Sequence, residues 1–210
     1  YFHIYLNLYN KIMLYYLINM NLDLPNDIFR ASNLVLLCMT ILLSYGYNLS
    51  FTYPIKIFLN DALSNYILKN YVFYNIIGDK TLPILGRGLR PIGAKNCGVF
   101  RDDFFNKKIV SKLSTSYGFP SGHSQNAGFF MTFIYTHFKH NKFILLISLI
   151  VTLFIPITRI KFGCHTIEQT IFGYLFGIIT YYVFEYIEKK IVQYMKNKNN
   201  RYKFLEKIID

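Results

Sequence analysis

Ala31 to Ile55 reads ASNLVLLCMTILLSYGYNLSFTYPI, 25 residues without a charge between Arg30 and Lys56. That length suffices for a helix to cross the hydrocarbon core of a bilayer, and Pro54 is the expected helix breaker at its end. Outward from it the chain repeats the theme. Residues from Lys56 to Val72 are mostly apolar but carry Asp61, Asn65 and Lys69. Four-residue spacing puts these three on one helical face, as expected for a stripe turned to a bundle interior or a wet cavity. Gly122 to Phe138 and Phe143 to Thr158 are two further predicted spans, the second short and ending near Pro156. The last, about Thr166 to Ile187, holds Gly173 and Gly177, a small-residue pair that lets helices approach closely.

The expectation is an all-α integral membrane bundle of five transmembrane helices, or six if residues 1–20 also cross. That opening stretch reads as a membrane or interfacial helix, interrupted by Lys11 and followed by no small-residue cleavage site, so it is not read as a signal peptide. Composition agrees: 53% of the 210 residues are hydrophobic and 19% aromatic. A single domain over 1–210 is expected, with its core at about 31–188 and a basic cytoplasmic tail at 189–210.

The formal charge of +12 suits nucleic acid, anionic lipid or a phosphate substrate. No nucleic-acid-binding motif appears. Eight Lys or Arg fall between Phe73 and Pro120 against three Asp, and seven against three acids between Glu188 and Asp210. The tail reads as a topology signal and a lipid-surface contact. With the basic turn at 139–142 it predicts one cytoplasmic side, which leaves Arg90, the turn at 120–123, Arg159 and His165 on the opposite face.

Those residues carry the chemistry. Pro120-Ser121-Gly122-His123 opens a helix: Ser121 can cap it, and Gly122 lets an anion approach the free amides. Arg-Pro at 90–91 and Arg159, followed by His165, complete a set of two histidines and fixed cations. That set suffices for metal-free phosphoryl transfer: one histidine attacks phosphorus, the other protonates the departing oxygen, and cations hold the equatorial charge.

Taken together, roughly Asn60 to Gly177 resembles the type 2 phosphatidic acid phosphatase superfamily of membrane lipid phosphatases. The resemblance implies His165 as nucleophile and His123 as general acid, with Arg90, Ser121, Gly122 and Arg159 holding the phosphate. Tyr117 to Gln125, with His165-Thr166-x-x-Gln169, is most similar to the dolichyl-diphosphatase branch. The substrate implied is a lipid phosphate or diphosphate, in the endoplasmic reticulum or another cellular membrane. A binder that has lost its chemistry, or a phosphotransferase with a different acceptor, would share these residues.

Two positions depart from the family pattern. Its first-motif lysine would fall at Pro83; Lys69 is the favoured substitute and Lys80 the alternative. Where most members carry Asp to orient the nucleophile, this chain has Gln169, one helical turn after His165, whose amide oxygen can accept the Nδ1 proton. Glu168 is a less well placed substitute.

No cofactor is expected. Cys38, Cys97 and Cys164 lack metal-ligand spacing, so no metal site is assigned, although Cys97 and Cys164 could pair in an oxidising lumen. His3, His137 and His140 read as interfacial bystanders, and Gly86 to Gly98 as a lid or rim. The sequence sets no oligomeric state.

Overall fold

The structure, a computed structural model, describes residues 24–98, 102 and 112–198. The expected helix over 1–20 and the tail beyond 198 lie outside them. The described elements are α1 (Leu24–Arg30), α2 (Ser32–Gly46), α3 (52–77), a hairpin of β1 (Thr81–Leu82) and β2 (Gly86–Arg87), α4 (Gly122–Phe138), α5 (Lys142–Lys161) and α6 (Ile167–Lys198). β1 and β2 pair antiparallel, with Thr81 opposite Arg87.

The uncharged run 31–55 is not one helix. It stops at Gly46, and a new helix starts at Thr52 with Pro54 in its first turn. The break is a Schellman cap. Asn48 takes φ 51°, its N–H donates to the Tyr45 carbonyl, and the Leu49 N–H donates to the Ser44 carbonyl at 2.8 Å. Hydropathy cannot register such a stop, because the turn residues Tyr47 and Leu49 are themselves apolar.

α3 is correspondingly longer than expected and mixes α-helical turns with π-helical stretches at Asn60–Ser64 and Leu68–Phe73. The wider π turns offset the drift that a 3.6-residue repeat accumulates over a four-residue spacing. Asp61, Asn65 and Lys69 therefore all line one cavity.

α5 also outruns its expectation: Pro156 lies inside it and the helix continues to Lys161. Proline at that position removes one backbone donor without ending the helix, and Thr158 bonds its own side chain to the Ile155 carbonyl at 2.8 Å. α4 begins and ends where the sequence places it. Ser121 accepts from the Ser124 N–H at its start, and Asn141 caps α5 just beyond its end by accepting from the Ile144 N–H at 3.1 Å.

α4 packs between α5 and α6. Cβ atoms at Gly173 or Gly177 would run into the Ser121 and Gln125 carbonyl oxygens, so α6 lies against the α4 backbone. The apolar core is Leu36, Ile57, Phe129, Phe130, Phe133, Ile155 and Tyr181, with Phe73, Ile77, Tyr117 and Phe119 forming a second cluster under the site.

α2 and α5 are inside-out by the standards of a water-soluble helix. α5 buries Ser148, Thr152, Thr158 and Arg159 and exposes Ile150, Leu153, Phe154 and Ile157; α2 buries Ser32, Asn33, Thr40 and Ser44 and exposes Leu34, Ile41 and Leu42. Water penalises that arrangement and hydrocarbon favours it. Two helices, Lys142–Lys161 and Ile167–Met195, are long and apolar enough to cross a membrane.

The two ends of the bundle differ. At one, Lys56 is buried and paired with both Glu185 and Glu188, its ammonium 4.5 Å from the centre of the Tyr53 ring. The 139–142 turn is at the same end of α4. At the other, about 25 Å away along the 17 residues of α4, are His123, Arg159 and His165.

Candidate active site

A cavity of about 420 Å³ opens at that second end, lined by Asp61, Asn65, Lys69, Arg90, Gly122, His123 and His165, with Asn33 and Ser116 on its walls. Local chain geometry explains how residues so far apart in sequence meet. The Gly88 carbonyl accepts from the N–H groups of Gly118 and Phe119 at 3.1 and 3.0 Å, which zips the Arg90 strand to the approach of α4. The Tyr117 hydroxyl pins the same segment by donating to the Gly78 carbonyl at 3.0 Å. α6 then holds the Pro-Ser-Gly-His turn, since the Ser121 N–H donates to the Gln169 carbonyl at 3.0 Å.

His165 precedes α6 and is held at both ring nitrogens. Gln169 Oε1 lies 3.1 Å from Nδ1. The Gln169 amide donates to the carbonyls of Arg87 at 2.7 Å and Leu89 at 2.8 Å, so its orientation is set: nitrogen to the carbonyls, oxygen to the imidazole. An acceptor at Nδ1 puts the ring proton there and leaves a bare lone pair on Nε2. That lone pair receives the Arg90 Nη1 donor at 3.0 Å.

Burial pushes the His165 imidazole well below its ordinary pKa, with Arg90, Lys69, Arg159 and His123 adding to the effect. His165 is therefore neutral at physiological pH. Burial lowers Arg90 to about 10, which still leaves it a cation there.

Arg90 is anchored by contacts that sequence reasoning missed. Its Nε and Nη2 donate to the Ser116 carbonyl and hydroxyl at 3.0 and 2.9 Å, and Nη1 donates to the Cys164 carbonyl at 2.9 Å. Arg159 is wholly buried. Its Nη2 donates to the Cys97 carbonyl at 2.6 Å, while Nε and Nη1 meet no acceptor among the described residues. Leaving charged donors buried and unpaired is costly, and an oxyanion would satisfy them. Cys97 and Cys164 form a disulfide, so one covalent link joins the two carbonyls that hold the two arginines.

His123, in the first turn of α4, donates from Nε2 to the Arg30 carbonyl at 2.9 Å. A carbonyl only accepts, so Nδ1 is the nitrogen left to exchange a proton. Arg30, another residue not singled out from sequence, also places its guanidinium 4.1 Å from the centre of the Phe162 ring. Gly122 is needed for space: a Cβ there would sit 2.9 Å from Asn65 Oδ1.

The two lysine candidates part company. Lys69 lines the cavity, whereas Lys80 follows the end of α3, exposed and outside it. Glu168 is likewise exposed and packs beside Gly86, away from His165. The Gly86–Gly98 segment supplies part of the rim through Asn96, Cys97 and Gly98. His137 meets the Tyr181 hydroxyl at the far end, 3.4 Å away. Among the described residues no three His, Cys, Asp or Glu side chains converge as metal ligands would.

The profile of the PAP2 superfamily matches residues 33–192, well over half of the chain. Phosphatidylglycerophosphatase B of Bacillus subtilis (strain 168) is 26% identical over 88 residues, which are 38% of this chain and 43% of that protein. The matched part is thus under half of that relative. Among solved structures, the crystal structure of a transmembrane PAP2 type phosphatidylglycerolphosphate phosphatase from Bacillus subtilis aligns at TM-score 0.48 and 19% identity, covering 85% of this chain and 83% of that one.

Proposed function

The chain belongs to the PAP2 superfamily, and from that premise we propose that it is a membrane enzyme hydrolysing a lipid phosphate or diphosphate at the cavity described above. One observation carries the reading: Gln169 turns His165 so that its unprotonated Nε2 meets the cavity at Arg90.

In the proposed reaction the Nε2 lone pair attacks phosphorus in line, and the bond from phosphorus to the lipid oxygen breaks. His123, entering this step as the imidazolium with its Nε2–H held on the Arg30 carbonyl, gives its Nδ1 proton to that oxygen, leaving a phosphohistidine. His123 then takes a proton from water, whose oxygen attacks phosphorus. The P–N bond breaks, its electron pair returns to Nε2, and inorganic phosphate leaves. Arg90, Arg159 and Lys69, with the amides at Ser121 and Gly122, stabilise the charge on the equatorial oxygens.

No step calls for a metal, so turnover should survive EDTA. The reading includes five membrane passages among the described residues, a sixth if 1–20 crosses, and one domain over the chain with the site on the non-cytoplasmic face.

Two lipid classes compete. The Tyr117–Gln125 run and Gln169 favour a polyprenyl diphosphate; the Bacillus subtilis relative is named for phosphatidylglycerophosphate. Phosphate release by the purified chain from both classes, and from phosphatidate, decides between them. His165→Ala and His123→Ala should each abolish release while the protein stays folded. Turnover within about tenfold of wild type in either variant would remove its assigned role. Intact binding without release in the wild-type protein would favour the non-catalytic binder.

A further inference from the structure

Asn65 puts a hydrogen-bond acceptor into a cavity built for an anion. It lines that cavity with His123 and His165, and its Oδ1 is the atom nearest to where a Gly122 Cβ would stand, 2.9 Å away. The amide cannot turn round. Asn65 Nδ2 donates to Gln125 Oε1 at 2.8 Å, and Gln125 Nε2 is itself committed to Asn60 Oδ1 at 2.9 Å and Ser64 Oγ at 3.1 Å. Asn60 is fixed in turn: its Nδ2 donates to Asn126 Oδ1 at 2.6 Å, and its Oδ1 also accepts from the Thr180 hydroxyl at 2.7 Å. Asn60 and Gln125 are wholly buried. A polar row across α3, α4 and α6 therefore decides which end of Asn65 faces the site, oxygen in and nitrogen away. That oxygen accepts from no donor among the described residues.

The equatorial oxygens of a transferring phosphoryl group need donors, which Arg90, Arg159, Lys69 and the amides at Ser121 and Gly122 supply. An amide oxygen repels such oxygens and suits only a neighbour that still carries a proton. The second half of the proposed reaction provides one. Water arrives in line, opposite His165 Nε2, at the place the lipid oxygen has left. His123, next to Gly122 in the chain, takes one of its two protons. The other stays on the attacking oxygen and needs an acceptor.

Resting on the hydrolytic reading above, we propose that Asn65 selects water as the acceptor of the phosphoryl group. As the water oxygen bonds to phosphorus, the P–N bond breaks and its electron pair returns to Nε2. One water proton passes to His123 Nδ1, and the remaining O–H donates to Asn65 Oδ1. An alcohol has a single O–H, which His123 must take, so its carbon would face the amide oxygen with nothing to donate. Asn65 thus keeps hydrolysis ahead of transfer to a lipid alcohol, including return of the phosphoryl group to the alcohol just released.

The test supplies each lipid of the panel above to the purified chain in buffer containing methanol, and reads inorganic phosphate against methyl phosphate. Their ratio reports only molecules that have formed the phosphohistidine, so it does not depend on the fraction of a variant that folds. Asn65→Ala should lower the ratio of inorganic to methyl phosphate about fivefold, the scale of one neutral hydrogen bond. Asn65→Asp keeps an acceptor and loses the donor to Gln125. It should turn over more slowly, yet hold the ratio at or above the wild-type value.

A ratio that Asn65→Ala leaves unchanged overturns the proposal, however much both products slow. An asparagine that only ties α3 to α4, or that holds a protonated phosphate oxygen, would affect both acceptors alike. A ratio as low in Asn65→Asp as in Asn65→Ala overturns it as well. Wild-type protein that forms neither product overturns the hydrolytic reading, and the selection of water falls with it. Wild-type turnover with a ratio unmoved in Asn65→Ala removes the role of Asn65 and leaves hydrolysis standing.

Discussion

Gln169 Oε1 accepts from His165 Nδ1 across 3.1 Å only because both hydrogens of the same amide are taken by the carbonyls of Arg87 and Leu89. The amide reads its own orientation from Arg87 in β2 and from Leu89 just beyond it, and imposes a tautomer on the imidazole. A carboxylate could hold the imidazole but would confront two carbonyl oxygens with its other oxygen. In this chain the orienting residue and the rim segment are therefore a matched pair.

Gln169→Glu keeps the size and removes the two donors. It should lower stability by about 1–3 kcal/mol, the scale of buried acceptors left facing one another. Turnover should fall on the order of 10 to 10³ through lost orientation, as for Gln169→Ala. Glu168→Ala should be mild. Steady-state rates and thermal melts of the three variants check this, and a Gln169→Glu enzyme at wild-type rate and melting temperature would contradict it.

Arg90→Ala and Arg159→Ala should each cost on the order of 10² or more in turnover, as for loss of one transition-state donor. Arg90→Lys should rescue little. A lysine has no planar fork with which to reach Ser116, the Cys164 carbonyl and His165 together. Lys69→Ala should be far more damaging than Lys80→Ala, because only the former lines the cavity. Single-turnover phosphate release measures all five, and the reverse order of the two lysines would mean that Lys80 takes the phosphate-binding role.

The acidic limb of the rate profile follows from His165. Burial first, then the neighbouring cations, hold its pKa well below the ordinary value of about 6.5. Protonation occupies the Nε2 lone pair, so the attacking form of His165 is present above that low pKa and is lost as pH falls through it, while His123, which must keep a proton for the leaving group, sets the alkaline limb. In kcat/KM, corrected for ionisation of the substrate, the acidic limb should lie below about pH 6.5. Arg90→Gln removes the nearest cation and should move the limb upward in pH. A wild-type limb at the ordinary value, or none that shifts in Arg90→Gln, argues against His165 as the attacking base.

Cys97→Ser tests the link between the arginines. The disulfide closes a sequence separation of 67 residues, and losing it should lower stability by about 2–4 kcal/mol. Because the Cys97 and Cys164 carbonyls hold Arg159 and Arg90, turnover should also fall at temperatures where the variant is folded. Melting and rate at low temperature separate the two effects; unchanged turnover in a destabilised variant would limit the bond to a structural role.

Much of the architecture was legible wherever the signal was local. α4 runs from Gly122 to Phe138, between a Pro-Ser-Gly start and a basic turn, and its capping chemistry is contained in those residues. Gln169 is one turn beyond His165 on any helix, and Gly173 with Gly177 makes a close-packing face on any helix. Longer apolar runs were less informative. The 31–55 stretch hides a stop at Asn48, because a Schellman cap depends on φ and two backbone bonds that hydropathy does not record.

By itself the sequence determined the polar stripe of Asp61, Asn65 and Lys69 and the presence of two histidines with two arginines, since each is a matter of residue type and spacing. Tertiary structure alone decided that Lys69 and not Lys80 lines the cavity, and that Ser116 and the carbonyls of Arg30, Cys97 and Cys164 hold the charged side chains. It also decided that Asn33 would stand beside Asp61 with its amide oxygen unmet among the described residues. The physical reason is that every residue carries a carbonyl, so a backbone acceptor has no signature in sequence. It becomes specific only when the fold brings it within about 3 Å of a donor distant in the chain.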